Sequence, residues 1–207
     1  MLILRSSPAS PFGRKVKIAA SVLGLLDRIA VEAADTTDPA DSIRNQNPLG
    51  KIPALILEDG KVLYDSRVIV EYLDHLAGGG RIIPAAPQRF DVLRLQALAD
   101  GICDASILRV YEKRFRPEER RHPDWVDYQA AKVDRALDAL EADQPARVDA
   151  AGGVDIGQIA VACALGYLDL RFKGAWRAGH PGLVAWLDAF EAAVPLFAKT
   201  RVEPVDW

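Results

Sequence analysis

Cysteine, histidine and methionine are scarce in this chain: two, three and one residues among 207. So few cysteines cannot build the disulfide framework of a small secreted domain. Cys103 and Cys163 sit in the apolar contexts Gly-Ile-Cys-Asp-Ala and Val-Ala-Cys-Ala-Leu, with no Cys-x-x-Cys pair and no neighbouring His. They read as reduced, buried, inert thiols. His75, His122 and His180 are scattered without metal-ligand spacing, so no metal is expected. An excess of base is also lacking. Lys and Arg number 26 against 29 Asp and Glu, interleaved, for a net charge of −3. That balance argues against a nucleic-acid surface or a membrane-binding basic face. No apolar run approaches a membrane span, and no repeat or low-complexity segment is present. With no signal-peptide pattern ahead of the first strand, the expected setting is the cytoplasm.

What the chain does have is an ordinary core supply. Half its residues are apolar and 27% are charged, which suits one large soluble domain or two small ones. Residues 2 to 18 are the most informative stretch. The apolar run Leu2 to Leu4 suits a buried strand. Ser, Pro and Ala then break the pattern. Val16, Ala19, Ala20 and Leu23 follow at helical spacing, with Arg14 and Lys17 expected to point outward. Ser10 before Pro11 is the natural order for a helix start, an N-cap hydroxyl followed by Pro at N1. A helix N-terminus favours negative charge, and a thiolate brought there would be stabilised. Read from these residues alone, Ser10 is first of all a plain cap.

The first helix should end near Gly24, and Arg28 to Val31 reads as a second strand. Asp35 to Pro48 is polar, with room for a short helix near Asp41 to Arg44. Ala54 to Leu57 reads as a third strand, the Glu58-Asp59-Gly60 turn as a hairpin, and Val62 to Tyr64 as the returning strand. Asp65-Ser66 then caps a helix carrying Val68, Ile69, Tyr72, Leu73 and Leu76. The pattern β-α-β then β-β-α implies a mixed sheet. Gly78-Gly79-Gly80 and Pro84 to Pro87 mark a boundary, so residues 1–79 form one domain and 86–207 a second. The second is helical throughout. A long helix runs from Gln88 to about Phe115 and another from Trp125 to about Ala142. A third starts at the capping box Asp155-Ile156-Gly157-Gln158, with Val154 and Ile159 as a hydrophobic staple. It is apolar nearly all round and should be the buried centre. Leu183 to Ala193 and a short segment after Pro195 complete the chain.

Four motifs in this order resemble one family across the whole chain. They are Ser10-Pro11-Phe12 followed by Arg14-Lys15-Val16, Asn47-Pro48-Leu49-Gly50-Lys51-Ile52-Pro53, Asp65-Ser66, and the capping box at Asp155. The sequence is similar to the cytosolic glutathione S-transferases, and its Ser-Pro-Phe opening to the bacterial branch related to the theta, zeta and phi classes. The resemblance implies an α/β thioredoxin-like N-terminal domain and an all-α C-terminal domain. It implies Ser10 as the catalytic hydroxyl, with Ser6 and Ser7 as runners-up. Related omega and stringent-starvation-type sequences carry Cys-Pro-Phe at this place, so Ser10 points away from disulfide exchange and toward thiolate stabilisation.

The glutathione-binding set implied is Ser10, Phe12, Lys51, Ile52, Pro53, Asp65 and Ser66. Ile52-Pro53 matches the family's cis X-Pro, whose turn would offer the Ile52 backbone to the cysteinyl unit. Lys51 matches a contact to the glycyl end, or is a solvated lysine before a strand. Ser66 would bind the γ-glutamyl carboxylate at a helix N-terminus. Asp65 stands where Glu or Gln is usual, and Asp-Ser is also simply a good cap. The expected reaction is activation of the glutathione thiol by Ser10 for attack on a small electrophile, with glutathione as co-substrate and no metal. The electrophile is expected in a cleft lined by Phe12, Ile107, Tyr111 and Phe115. The alternatives are a glutathione-binding regulatory protein without turnover, or a glutathione-dependent isomerase or dehalogenase. A homodimer is expected, with Asp100 where some members send an acid across the interface.

Overall fold

A computed structural model describes residues 1–148 and 153–203. The expected mixed sheet is present. Strands β1 (Leu2–Ser6) and β2 (Ile29–Ala33) pair in parallel across the crossover helix α1 (Pro11–Val22). Strands β3 (Ala54–Ile56) and β4 (Val62–Leu63) form the antiparallel hairpin, and β3 also pairs antiparallel with β1, giving the order β2-β1-β3-β4. A parallel pair needs a long connection and an antiparallel pair a tight one, so this topology follows from the spacing of the strands. At the hairpin, the Asp59 carboxylate accepts the Lys61 N–H at 2.9 Å.

The strand bounds differ from expectation at polar residues. β1 continues through Arg5 and Ser6 because Arg5, though buried, has both terminal guanidinium nitrogens paired. Its guanidinium donates to Ser42 Oγ at 2.8 Å, Gln46 Oε1 at 2.7 Å, Asp41 Oδ1 at 2.9 Å and the Ala33 carbonyl at 3.1 Å. These bonds also pin the polar loop and its short helix α2 (Ile43–Gln46) beneath the sheet edge. Leu26–Arg28 forms a 3-10 turn, which moves the start of β2 to Ile29.

Helix α1 begins as expected, with Ser10 Oγ accepting the Gly13 N–H at 3.1 Å and Pro11 at N1. Its polar face does not. Arg14 is buried and Lys17 half-buried, because α1 is packed on two sides, by the sheet and by the helical region. Lys15 is buried completely. Helix α3 (Ser66–Leu76) starts at the Asp65 cap, whose carboxylate accepts the Arg67 N–H at 2.9 Å. Near its end, buried Asp74 accepts the N–H groups of Gly80, Arg81 and Ile82 at 2.8, 2.9 and 2.8 Å. A carboxylate with three amide donors holds the connection into the helical region, and the Ile82 carbonyl accepts the Ile156 N–H at 2.9 Å.

Among the described residues five helices follow: α4 (Gln88–Phe115), α5 (Pro123–Ala142), α6 (Ile156–Phe172), α7 (Pro181–Ala193) and α8 (Pro195–Lys199). Both α5 and α7 start two residues earlier than the apolar spacing suggests, since each uses a His-Pro pair with Pro at N1. His122 Nδ1 accepts the Trp125 N–H at 3.2 Å. Helix α6 is buried on nearly every side and opens with both reciprocal bonds of the capping box, each 2.9 Å. One continuous core joins the sheet residues Leu4 and Leu55, the α1 residues Val16 and Ile18, and the α6 residues Ala160 and Leu165. Cys103 and Cys163 are both free and buried within it. No helix among the described residues is long and apolar enough to cross a membrane.

Candidate functional site

The strand register gathers the expected site residues at one end of the sheet. Arg5 of β1 pairs with Ala54, so the loop after Ser6 lies beside Ile52-Pro53. Leu55 pairs with Leu63, so Pro53 lies beside Asp65 by the same ladder. The Ile52-Pro53 bond is cis, as expected. Ile52 is half-buried, Pro53 buried and Lys51 exposed. The loop that carries them is built by Asn47, which is buried and uses both ends of its amide. Its Nδ2 donates to the Lys51 carbonyl at 2.8 Å and its Oδ1 accepts the Leu49 N–H at 3.0 Å. That is the physical use of the Asn-Pro-Leu-Gly motif: a side chain in place of a ladder partner.

Two helix N-termini point at this end. Ser10 caps α1 and stays half-exposed. Ser66 is N1 of α3 and buried, with its N–H among those that a helix leaves unpaired. Ser7 is half-exposed, whereas Ser6 is buried, its hydroxyl turned toward the Ser7 carbonyl at 3.3 Å and lying against Gly13. A Cβ at Gly13 would overlap that hydroxyl, so Ser6 is walled off by the first turn of α1. Phe12 is half-buried against the core, with its ring centroid 5.6 Å from Lys15 Nζ.

Beneath the two N-termini lies an ion-pair cluster that motif reading did not identify. The Asp100 side chain is 4% exposed and accepts from Lys15 Nζ at 2.7 Å and from Arg67 Nε at 3.0 Å. Arg67 directly follows Ser66, so the cluster ties α1, α3 and α4 together behind the site. Both Asp100 carboxylate oxygens accept a hydrogen bond within the chain. Asp104, one turn along α4, has its carboxyl pushed up by burial and by Asp100, with Arg67 and Lys51 opposing. The signal for Lys15 was available: it lies on the stripe Pro11, Lys15, Ala19, where its helical neighbours are buried.

Ser10 also opens on a cavity of about 490 Å³ between α1, α6, α7 and the segment after α8. Its walls include Pro8, Pro11, Arg14, Tyr167, Leu170 and Phe197. The expected cleft residues Phe12, Ile107, Tyr111 and Phe115 do not line it; Tyr111 and Phe115 lie exposed on α4, rings 5.0 Å apart edge to face. Burial holds the Tyr167 hydroxyl protonated, its pKa pushed up to about 12, and raises Cys163 to about 11. Neither is a neutral-pH nucleophile.

Comparison with known proteins matches this arrangement. The N-terminal domain of glutathione S-transferases matches residues 4–81, and their C-terminal domain residues 111–189. An uncharacterised GST-like protein of Escherichia coli, YibF, is 34% identical over 87% of this chain and 89% of its own. The chain belongs to the glutathione S-transferase family. A family member from Pseudomonas fluorescens Pf-5, crystallised with bound glutathione, is 45% identical, with a TM-score of 0.88 over 99% of this chain and 100% of its own. A second crystal structure from that organism, 44% identical over the same shares with a TM-score of 0.85, holds S-(propanoic acid)-glutathione. The thioredoxin-like sheet followed by an all-α domain is thus the architecture of a glutathione S-transferase. Within it, Ser10, Ile52-Pro53 and Asp65-Ser66 occupy one end of the sheet, while Phe12 and Lys51 lie at its margins.

Proposed function

We propose that this chain is a glutathione transferase in which Ser10 activates the glutathione thiol for attack on a small electrophile. The observation that carries the reading is the position of Ser10. It caps a helix N-terminus at the end of the sheet where Ile52-Pro53 and Asp65-Ser66 converge, and it opens on an interdomain cavity. The glutathione bound by the 45% identical relative supports the same ligand here. Ile52 pairs with the cysteinyl backbone, Ser66 and the α3 N-terminus receive the γ-glutamyl carboxylate beside Asp65, and Lys51 reaches the glycyl end, with Pro53 and Phe12 shaping the bed.

A hydroxyl has one donor and two acceptor sites. The Ser10 oxygen accepts the Gly13 N–H, which leaves its O–H to donate to the sulfur. That bond and the helix dipole favour the thiolate, which lowers the thiol pKa and increases the nucleophile present at neutral pH. The thiolate then forms a carbon–sulfur bond as the leaving group departs with its electron pair. The protein acts in the cytoplasm as a two-fold homodimer, without metal.

Calorimetric titration with millimolar glutathione tests binding, and conjugation of 1-chloro-2,4-dinitrobenzene tests turnover. Heat and turnover together are expected. Heat without turnover of any electrophile supports the binding role instead, and no heat overturns both.

A further inference from the structure

The cavity beside Ser10 has an uneven charge lining. Among the described residues it presents Arg14, Lys173, Arg177 and Arg201 and one acid, Asp169. Arg177 is committed to that acid, with Nε and Nη2 donating to its two oxygens at 2.9 and 2.7 Å. Arg201 is committed to Glu191. Arg14 differs from both. It is 7% exposed, and its hydrogen-bond partners among the described residues are neutral. Nε donates to Thr200 Oγ1 at 3.1 Å and Nη2 to the Phe197 carbonyl at 2.5 Å, with the Phe197 ring centroid 3.9 Å from Cζ. A guanidinium carries five N–H donors, so these two bonds leave capacity on the cavity side. Gly166 gives Nη1 its room, since a Cβ there would overlap it. Burial lowers the Arg14 pKa, aided by Arg201 and opposed by Cys163 and by the more distant acids Glu191 and Asp169.

A buried charge with no acid hydrogen-bonded to it among the described residues is costly, and such a charge is tolerated where function supplies the partner. Arg14 lies one turn after the Ser10 cap, its N–H donating to the Ser10 carbonyl at 2.9 Å, and both residues line the same cavity. An electrophile with its reactive carbon at Ser10 therefore reaches Arg14 with a group one helical turn away.

We propose that Arg14 is a specificity-determining residue that receives the anionic group of the electrophile, so that the substrates are small electrophilic acids. This rests on the transferase reading above and names the substrate class of the same site. With a benzylic bromide carrying a para carboxylate, the thiolate forms one carbon–sulfur bond. The carbon–bromine bond breaks, bromide leaves with the electron pair, and the thiol proton passes to solvent. The carboxylate stays intact on Arg14.

The test compares 4-(bromomethyl)benzoate with 4-(bromomethyl)benzamide, each rate divided by its uncatalysed rate with glutathione. The carboxylate is favoured in kcat/KM on the order of ten- to a hundredfold, as for one charge-assisted hydrogen bond. In Arg14→Gln, and in Gly166→Ala, which displaces the guanidinium without removing its charge, that ratio falls toward one. Equal corrected rates in the parent protein overturn the proposal, and an unchanged ratio in both variants overturns the assignment to Arg14. Competition between S-(4-carboxybenzyl)- and S-(4-carbamoylbenzyl)glutathione on the parent protein gives the same answer without turnover. If neither bromide nor 1-chloro-2,4-dinitrobenzene is conjugated, the transferase reading fails, while tighter binding of the carboxybenzyl conjugate still supports the anion site and equal binding removes it.

Discussion

Replacing Asp100 by Asn should damage this protein more than any other single polar change near the site. The Lys15 side chain is 1% exposed and its charge is matched by Asp100 at 2.7 Å. Removing the carboxylate charge leaves the ammonium buried without its counter-ion, which costs about 3–5 kcal/mol. The second bridge adds little, because the Arg67 side chain is 54% exposed and such pairs contribute below about 1 kcal/mol. The Phe12 ring, 5.6 Å from Lys15 Nζ, recovers about 0.5–1 kcal/mol. A net loss of about 3 kcal/mol follows, a large share of the roughly 5–15 kcal/mol that holds a typical domain. Urea unfolding followed by the fluorescence of the four tryptophans measures it. Pairing Asp100→Leu with Lys15→Met should recover most of the loss, because the stranded charge is then gone. A loss below about 1 kcal/mol for Asp100→Asn, or a double variant as unstable as the sum of its single changes, would refute the reasoning.

Ser10→Ala should leave glutathione affinity nearly intact and raise the pKa of the bound thiol, with each unit equal to about 1.4 kcal/mol of thiolate stabilisation. Thiolate absorbance against pH reads it, and the conjugation defect should shrink as pH approaches the free thiol's pKa; identical titrations would assign the activation to Ser7 or to backbone amides. Ser66→Ala should weaken glutathione by roughly 1.5–3 kcal/mol while barely moving the melting temperature. An unchanged affinity in calorimetry would reduce Ser66 to a helix position. Asp155→Ala should destabilise the fold by about 1 kcal/mol through loss of its cap. Asp155→Asn keeps the acceptor and isolates the charge. Burial raises the folded pKa of Asp155 above its ordinary 3.8, so its contribution to stability is greatest below that value and is lost as pH rises through the folded pKa. The Asn variant should therefore gain on the parent between acid and neutral pH, and a parallel pair of stability–pH curves would exclude this.

Much of the candidate site was legible because its signals are local. Ser10 before Pro11, Asp65 before Ser66, and Asp155 three residues before Gln158 each place an acceptor where a helix leaves N–H groups unpaired, and all three caps form. The Asp59-Gly60 turn is likewise a property of adjacent residues, whereas the His-Pro helix starts are masked because the apolar spacing begins only two residues later. What escaped was the partner of each buried charge. Arg14 and Lys17 on an amphipathic helix read as solvated, and only the packing of α6 and α8 against α1 turns Arg14 inward.

The sequence by itself determined the order of strands and helices, the caps that start them, and the mixed connectivity of the sheet, because hydrogen-bond closure between near neighbours leaves few alternatives. Only the tertiary structure decided which charges are buried and what they meet. Lys15 and Asp100 are 85 residues apart, and Arg14 and the Phe197 carbonyl 183. It also decided that the cavity beside Ser10 is walled by α6 and the C-terminal segment rather than by the aromatic end of α4. Such contacts depend on how preformed elements dock, and docking is set by the shape and burial of whole faces, which no short stretch of sequence encodes.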